Sequence, residues 1–229
     1  VSGALRPRLG EQPVAALFRH AETIPGMCDH DKIRALLEIS RSCPPGDVVE
    51  IGSWWGKSAY LLCELARLQG IGSVLCVDPW SNAHLIQRDE GGLVDGVAVD
   101  ADEALTVFQL NLLPYAHGRL NYLRLPSVEA SVAYRRERSV CSRAFGETRY
   151  TGQIALLHID GNHSYDSVRA DVAAWTDLVL PGGWIVLDDY LWPYGDGPRR
   201  VGDDFLRAVG PSVDCAFVAG SALFMRMVA

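Results

Sequence analysis

Asp160, His163, Asp188 and Asp189 are the residues of this sequence best placed to do chemistry together. Asp160 closes the apolar run "IALLHID", and the Asp188-Asp189 pair closes "WIVLDD". If the two runs are neighbouring parallel strands, three carboxylates meet at their ends. Such a cluster repels itself unless a cation is bound or protons are shared. An all-oxygen donor set on Asp160, Asp188 and Asp189 suits a hard ion, Mg2+ first and Mn2+ or Ca2+ next. His163 follows Asp160 by three residues, on the loop beside that site. A neutral imidazole there can take a proton from a hydroxyl whose pKa the metal has lowered. The simpler reading of one aspartate is a helix cap, or a partner for Arg199 or Arg200. It accounts for one acid and not for three together. For His163 the simpler reading is a surface histidine at the start of the next helix. His158 lies inside the strand and reads as a packed histidine with one hydrogen bond.

A second constellation lies earlier, in "EIGSWWGKS" over residues 50–58. It comes close to a nucleoside-triphosphate loop, but Gly52 and Gly56 have three residues between them where four are required. Two of those are Trp54 and Trp55, bulky where backbone N–H groups would have to converge on an anion. Glu50 would set a negative charge near phosphates, and a GxGxxG dinucleotide pattern is absent. What remains is a glycine turn between a strand and a helix. Asp78 ends the following strand, "SVLCVD", where a carboxylate can accept from both hydroxyls of a ribose. A ligand with a ribose, a cationic centre and no phosphate would tolerate Glu50 nearby, and S-adenosylmethionine is such a ligand.

The elements that must position these residues alternate. Residues 13–20 and 31–42 read as two amphipathic helices, separated by "TIPGMCD". "VVEIG" is a buried strand, 57–69 a helix and "SVLCVD" a strand. Residues 81–100 read as a long polar loop and 101–116 as a helix. "RLNYLRL" is a strand, and a short helix starts at Ser127. The Arg-rich stretch 136–150 reads as a loop or insertion. After the strand "IALLHID" come a helix over 164–179, a turn at "PGG", the strand "WIVLDD" and a helix over 201–209. Two strands around Gly220 close the chain. This order implies an α/β fold, a mainly parallel sheet with helices on both faces and one antiparallel strand at the end. The expected division is an N-terminal helical extension over 1–44 and the main domain over 45–229.

The 229 residues are 48% hydrophobic and 21% charged, enough for a full core, and carry a net charge of −7. That balance argues against a nucleic-acid partner. No apolar run is long enough to span a bilayer, and the first twenty residues have no signal-peptide pattern. The six cysteines show no CxxC spacing and read as reduced thiols, so a cytoplasmic protein is expected.

With these residues in view, the chain resembles the class I S-adenosylmethionine-dependent methyltransferases over about residues 45–228. "VVEIGSWWGKSA" resembles that family's first motif and "VLCVDPW" its second. The resemblance implies a Rossmann-like seven-stranded sheet with the last strand antiparallel. It also implies that Gly52 and Ser53 lie under the methionine part, that Asp78 holds the ribose and that Ser127 sits near the adenine. Ser127 can equally be a helix N-cap, without the reciprocal capping-box partner because Ala130 stands three residues on. Lys57 and Ser58 are either a solvated helix start or contacts for the methionine carboxylate. Glu50 and Asp160 complete the expected cofactor set.

"IDGNHSY" and "PGGWIVLDDY" are similar to the metal-dependent sugar O-methyltransferases, the macrocin and mycinamicin methyltransferase group with its cephalosporin hydroxylase-like relatives. In the mycinamicin type a histidine three residues after the metal aspartate is the base, which His163 matches. In the novobiocin type the base is an aspartate two residues after, where this chain has Asn162. The implied reaction is in-line methyl transfer to one of two vicinal hydroxyls held by Mg2+. Tyr165, Trp192 and Tyr194 either stack on a sugar ring or belong to core or lid. The expected partners are a small-molecule or oligosaccharide acceptor, no membrane, and copies of the chain itself in a homo-oligomer, a dimer or larger. Two rivals remain: a catechol or phenol O-methyltransferase, and a non-catalytic S-adenosylmethionine-binding protein.

Overall fold

The computed structural model describes residues 5–85, 100–116 and 118–229. Most of the expected 81–100 loop lies outside the described residues. Its start forms a short helix.

In chain order the elements are α1 (Glu11–Ala21), α2 (His30–Ser40), β1 (Asp47–Ile51), α3 (Lys57–Gln69), β2 (Val74–Val77), α4 (Asn82–Leu85), α5 (Ala101–Leu112) and β3 (Leu120–Leu123). Then come α6 (Ser127–Glu137), β4 (Ser139–Ser142), β5 (Gly146–Arg149), β6 (Ile154–Ile159), α7 (Tyr165–Trp175), β7 (Val179–Leu187), α8 (Gly197–Val209), β8 (Val213–Ala219) and β9 (Ala222–Met227).

Seven strands form one sheet in the order β3-β2-β1-β6-β7-β9-β8. The pairs from β3 to β7 are parallel, and β9 runs antiparallel to both β7 and β8. The strands at the centre are buried on both faces, as β-branched and leucine-rich runs in a parallel sheet must be. β1 is buried at all five positions and β6 at all six. Alternate residues feed two cores. Val48, Val74, Cys76 and Val186 face Leu36, Leu62 and Phe108 of α2, α3 and α5, with Leu17 of α1 in the same cluster. Val49, Leu75, Ile159 and Ile185 face Tyr134, Val168, Trp175 and Val201 of α6, α7 and α8. The N-terminal helical pair is therefore part of the main core.

Two stretches differ from expectation. Residues 136–150 form not a loop but the end of α6 and a separate two-stranded hairpin, β4–β5. Asn121 on β3 anchors it, its amide donating to the carbonyls of Val140 and Gly146 at 2.8 Å each. "PGG" does not precede a strand but lies inside β7, where Ile154 pairs with Val179 and Leu156 with Trp184. The extra residues of β7 form a bulge there, where Pro181 needs no N–H for the ladder.

The strand order reverses at β1, which lies between β2 and β6. The crevice beyond the carboxyl ends of these strands is where open α/β sheets bind ligands.

Candidate active site

That crevice is a cavity of about 680 Å³. Gly52 opens its floor. It has φ +83°, and a β-carbon there would overlap the carbonyl of Asp160, so only glycine lets β1 and β6 end this close together. The turn that follows is held by Asp78. One Asp78 oxygen accepts the N–H groups of Ser53 and Trp54 at 3.1 and 3.0 Å, and the other accepts that of Trp80 at 2.7 Å. Burial pushes the Asp78 carboxyl up from its ordinary value, and these three N–H groups oppose the shift. Trp54 and Trp80 both sit at positive φ, +41° and +36°, so the turn carries backbone strain fixed by the Asp78 network.

Of the other expected cofactor residues, Ser53, Lys57, Ser58, Ser127 and Asp160 all line the cavity, together with Asp78. Glu50 does not. It is fully buried beneath the floor, accepting from the Ser53 hydroxyl at 2.6 Å and facing His158 Nδ1 at 3.2 Å. Lys57 donates to the carbonyl of Gly26 at 3.0 Å, so its ammonium ties the α1–α2 connection to α3. Ser127 is the first residue of α6, not its cap, and its hydroxyl accepts from the Trp175 indole at 2.9 Å.

His163 lines the cavity, with Nε2 on an Asp189 oxygen at 2.7 Å and its ring 4.3 Å from that of Trp192. Asp189 adopts φ +54°, uncommon for a residue with a β-carbon, and this conformation accompanies its turn toward the imidazole. The α8 N-terminus closes against this loop at Gly197, where a β-carbon would overlap the His163 carbonyl. Trp192 faces the cavity, whereas Tyr165 donates to Asp204 at 2.9 Å and stacks under Arg200, away from it. Tyr194 is exposed and packs edge-on against Trp192.

The expected three-carboxylate centre takes a different form. His158, Asp160 and Asp188 bring ligand-type atoms within 4.8 Å of one another, while Asp189 belongs to the His163 pair. Lys32 of α2 enters this group. Its ammonium is paired with Asp188 and lies 3.6 Å from Asp160. Burial alone would lower the Lys32 pKa, but the carboxylates around it, Asp160 foremost, hold it above the ordinary lysine value. Asp188 is engaged on both oxygens: the other one accepts from the Asp189 N–H at 2.9 Å and the Ser221 hydroxyl at 3.2 Å. The residues present thus do not fit a divalent ion on Asp160, Asp188 and Asp189 together, because Asp189 points to His163 and an ammonium already offsets part of the charge of the other two. The ion-pair partner considered from sequence was Arg199 or Arg200, and the actual one is Lys32.

Two further cavity residues carried a signal that could have found them. Lys32 falls on the buried stripe of α2 with Leu36 and Ile39, and Asp171 on that of α7 with Val168 and Trp175. An ionisable residue on an apolar helix face must find a partner or a cavity.

Comparison with known proteins agrees with this architecture. A family described as methyltransferase domain matches residues 49–190. A Streptomyces olivaceus protein, 8-demethyl-8-(2,3-dimethoxy-alpha-L-rhamnosyl)-tetracenomycin-C 4'-O-methyltransferase, is 25% identical over 214 residues, which cover 91% of this chain and 77% of the relative. Among solved structures, the calicheamicin methyltransferase CalS11 superposes with a TM-score of 0.60 at 12% identity, covering 99% of this chain and 98% of that one. The O-methyltransferase NovP gives 0.55 at 17% identity, covering 96% and 81%. An O-methyltransferase from Bacillus cereus in complex with SAH gives 0.54 at 17%, covering 96% and 92%. With the family match spanning more than half its length and a glycine turn and Asp78 at the strand-order reversal, the chain belongs to the methyltransferase domain family and is a class I S-adenosylmethionine-dependent methyltransferase.

Proposed function

We propose that this protein transfers the methyl group of S-adenosylmethionine to a hydroxyl of a sugar or glycoside. The observation that carries the reading is the His163–Asp189 pair, set in the same cavity as the glycine turn and Asp78. The named activity of the Streptomyces olivaceus relative, methylation of a rhamnosyl group, supports the acceptor class.

When bound, S-adenosylmethionine supplies an electrophilic methyl group on a sulfonium. By the family resemblance Gly52 and Ser53 would lie under its methionine part, and Asp78, which accepts three backbone N–H groups, retains acceptor capacity for a ribose. The anionic floor formed by Asp160 favours a cationic ligand. With Nε2 engaged by Asp189, His163 has Nδ1 left to take the proton of the acceptor hydroxyl, and Asp189 stabilises the imidazolium that results. The methyl group would come from the bound S-adenosylmethionine, and His163 would keep the proton taken from the acceptor hydroxyl. Positioning of both ligands supplies much of the rate.

A panel of sugars, glycosides and catechols, incubated with S-adenosylmethionine and read by mass spectrometry for the gain of one methyl group, tests the reading. Methylation of catechols alone would overturn the sugar assignment. The reading includes a homo-oligomer, which light scattering checks, and a cytoplasmic location. Among the described residues, no helix is long and apolar enough to cross a membrane.

A further inference from the structure

Lys32 is a charged group of the cavity wall to which the proposed reaction gives no task. It is 1% exposed, on a helix whose N-cap, Asp29, accepts from the N–H groups of Asp31 and Lys32 itself at 2.9 and 2.8 Å. Ile33, Leu36 and Ile39 of the same helix are in the core. The packing of α2 therefore fixes the backbone that carries the ammonium at the cavity wall. Its reach ends at the carboxyl ends of β6 and β7, between Asp160 and Asp188.

We propose that Lys32 is the resident cation of this acidic centre: its ammonium stands where a divalent ion would have to sit, so the protein holds no divalent ion there and needs none for methyl transfer. The role in transfer rests on the methyl-transfer reading above, but the occupancy of the centre does not.

Three observations carry the proposal. Both oxygens of Asp188 are engaged, by Lys32 on one side and by the Asp189 N–H and the Ser221 hydroxyl on the other. The third expected acid, Asp189, is committed to His163. The remaining donor, His158 Nε2, is fully buried without a hydrogen-bond partner, 3.7 Å from Asp188 and 4.0 Å from Asp160. One imidazole and two carboxylates around an ammonium are a poor cage for Mg2+, which demands octahedral oxygen ligation and keeps several waters. A positive centre this close would also repel a second cation in a region screened from solvent. Lys32 acts as a positioning residue: it neutralises part of the charge and fixes Asp160 and Asp188 at the cavity floor, leaving net negative charge to face a sulfonium.

The test compares wild type, Lys32→Ala and Lys32→Arg, each stripped with chelator. Mn2+ binding is followed by electron paramagnetic resonance, the effect of Mg2+ by thermal denaturation, and SAH binding by calorimetry in chelator. The expected result is no stoichiometric Mn2+ on wild type up to about 1 mM free ion. Lys32→Ala should gain a site at least about tenfold tighter and be stabilised by Mg2+, because a freed pair of carboxylates now needs a cation. Lys32→Arg should behave as wild type. One tightly held Mn2+ per wild-type chain, lost in Asp160→Asn, would overturn the proposal even if Lys32→Ala fails to fold. A Lys32→Ala chain that folds and gains no site would overturn it as well. Failure to bind SAH would instead sink the methyl-transfer reading and leave the metal result standing.

Discussion

Burial raises the Asp171 carboxyl to about 6, with a hydrogen bond to Ser127 acting against the shift. In the unfolded chain an aspartate titrates near 4, so between about pH 4 and 6 the folded chain holds this proton more tightly. The contribution to stability is complete below about pH 4 and is lost as the pH rises through about 6. Asp171→Asn should therefore raise Tm at pH 8, where it adds at most about 3 kcal/mol of stability, and leave Tm unchanged at pH 4. Melting curves across that range check it, and a pH-independent effect would contradict it. His163→Ala should lower kcat by roughly 10²–10⁴-fold while SAH affinity, read by calorimetry, stays within error. Asp189→Asn should lower kcat by less, since it leaves the imidazole in place without its carboxylate partner. At this scale the sequence made Asp78 and the His163 loop legible, because motif residues at strand ends have few places to point. It did not reveal that Asp189 turns to His163, since the choice between two adjacent aspartates depends on a left-handed backbone that no spacing encodes. Lys32 went unread because it reaches the centre across 156 positions of sequence.

At the scale of elements, hydrophobic period and turn chemistry located α2, α3, β1, β2, β6 and β9 closely. The misread segments are those whose polarity is satisfied by a partner elsewhere. The β4–β5 hairpin looked like a loop because its strands are short and polar, with Thr148 its one fully buried strand residue. Its anchor is Asn121, fully buried on β3. Asn121→Ala would leave the Val140 and Gly146 carbonyls without that donor, and should cost about 1–3 kcal/mol in urea denaturation. A change below a few tenths would mean that the hairpin is held by other contacts. "PGG" was misread for a related reason: Pro and Gly signal breaks, and a bulge absorbs them without ending the strand.

For the molecule as a whole, a ligand that binds the folded chain alone stabilises it by mass action. SAH at about 100 times its Kd should add about 2.7 kcal/mol, a Tm rise of roughly 5–10 °C for a chain of this size. ATP at the same concentration should add little, because the turn after β1 has indoles and a buried glutamate where a phosphate cradle would need open N–H groups. Equal shifts from both ligands would return the triphosphate-loop reading.

The pairing of Lys32 with Asp160 and Asp188 also bears on how the chain is made. α2 leaves the ribosome long before β6 and β7 exist. At 5–20 residues per second, the delay is on the order of ten to thirty seconds. Throughout that interval an ammonium destined for the interior lacks the Asp160 and Asp188 carboxylates, and the apolar stripe around it has only the early part of its core, from β1, α3 and β2, to meet. α2 is therefore made well before the strands that carry its ion-pair partners, and is locked only once β6 and β7 have followed it. Ribosome-stalled chains ending near residue 150 should leave α2 open to protease, and chains carried beyond β7 should close it. Protection already present at the shorter length would mean that the helix finds its place without the acids it serves.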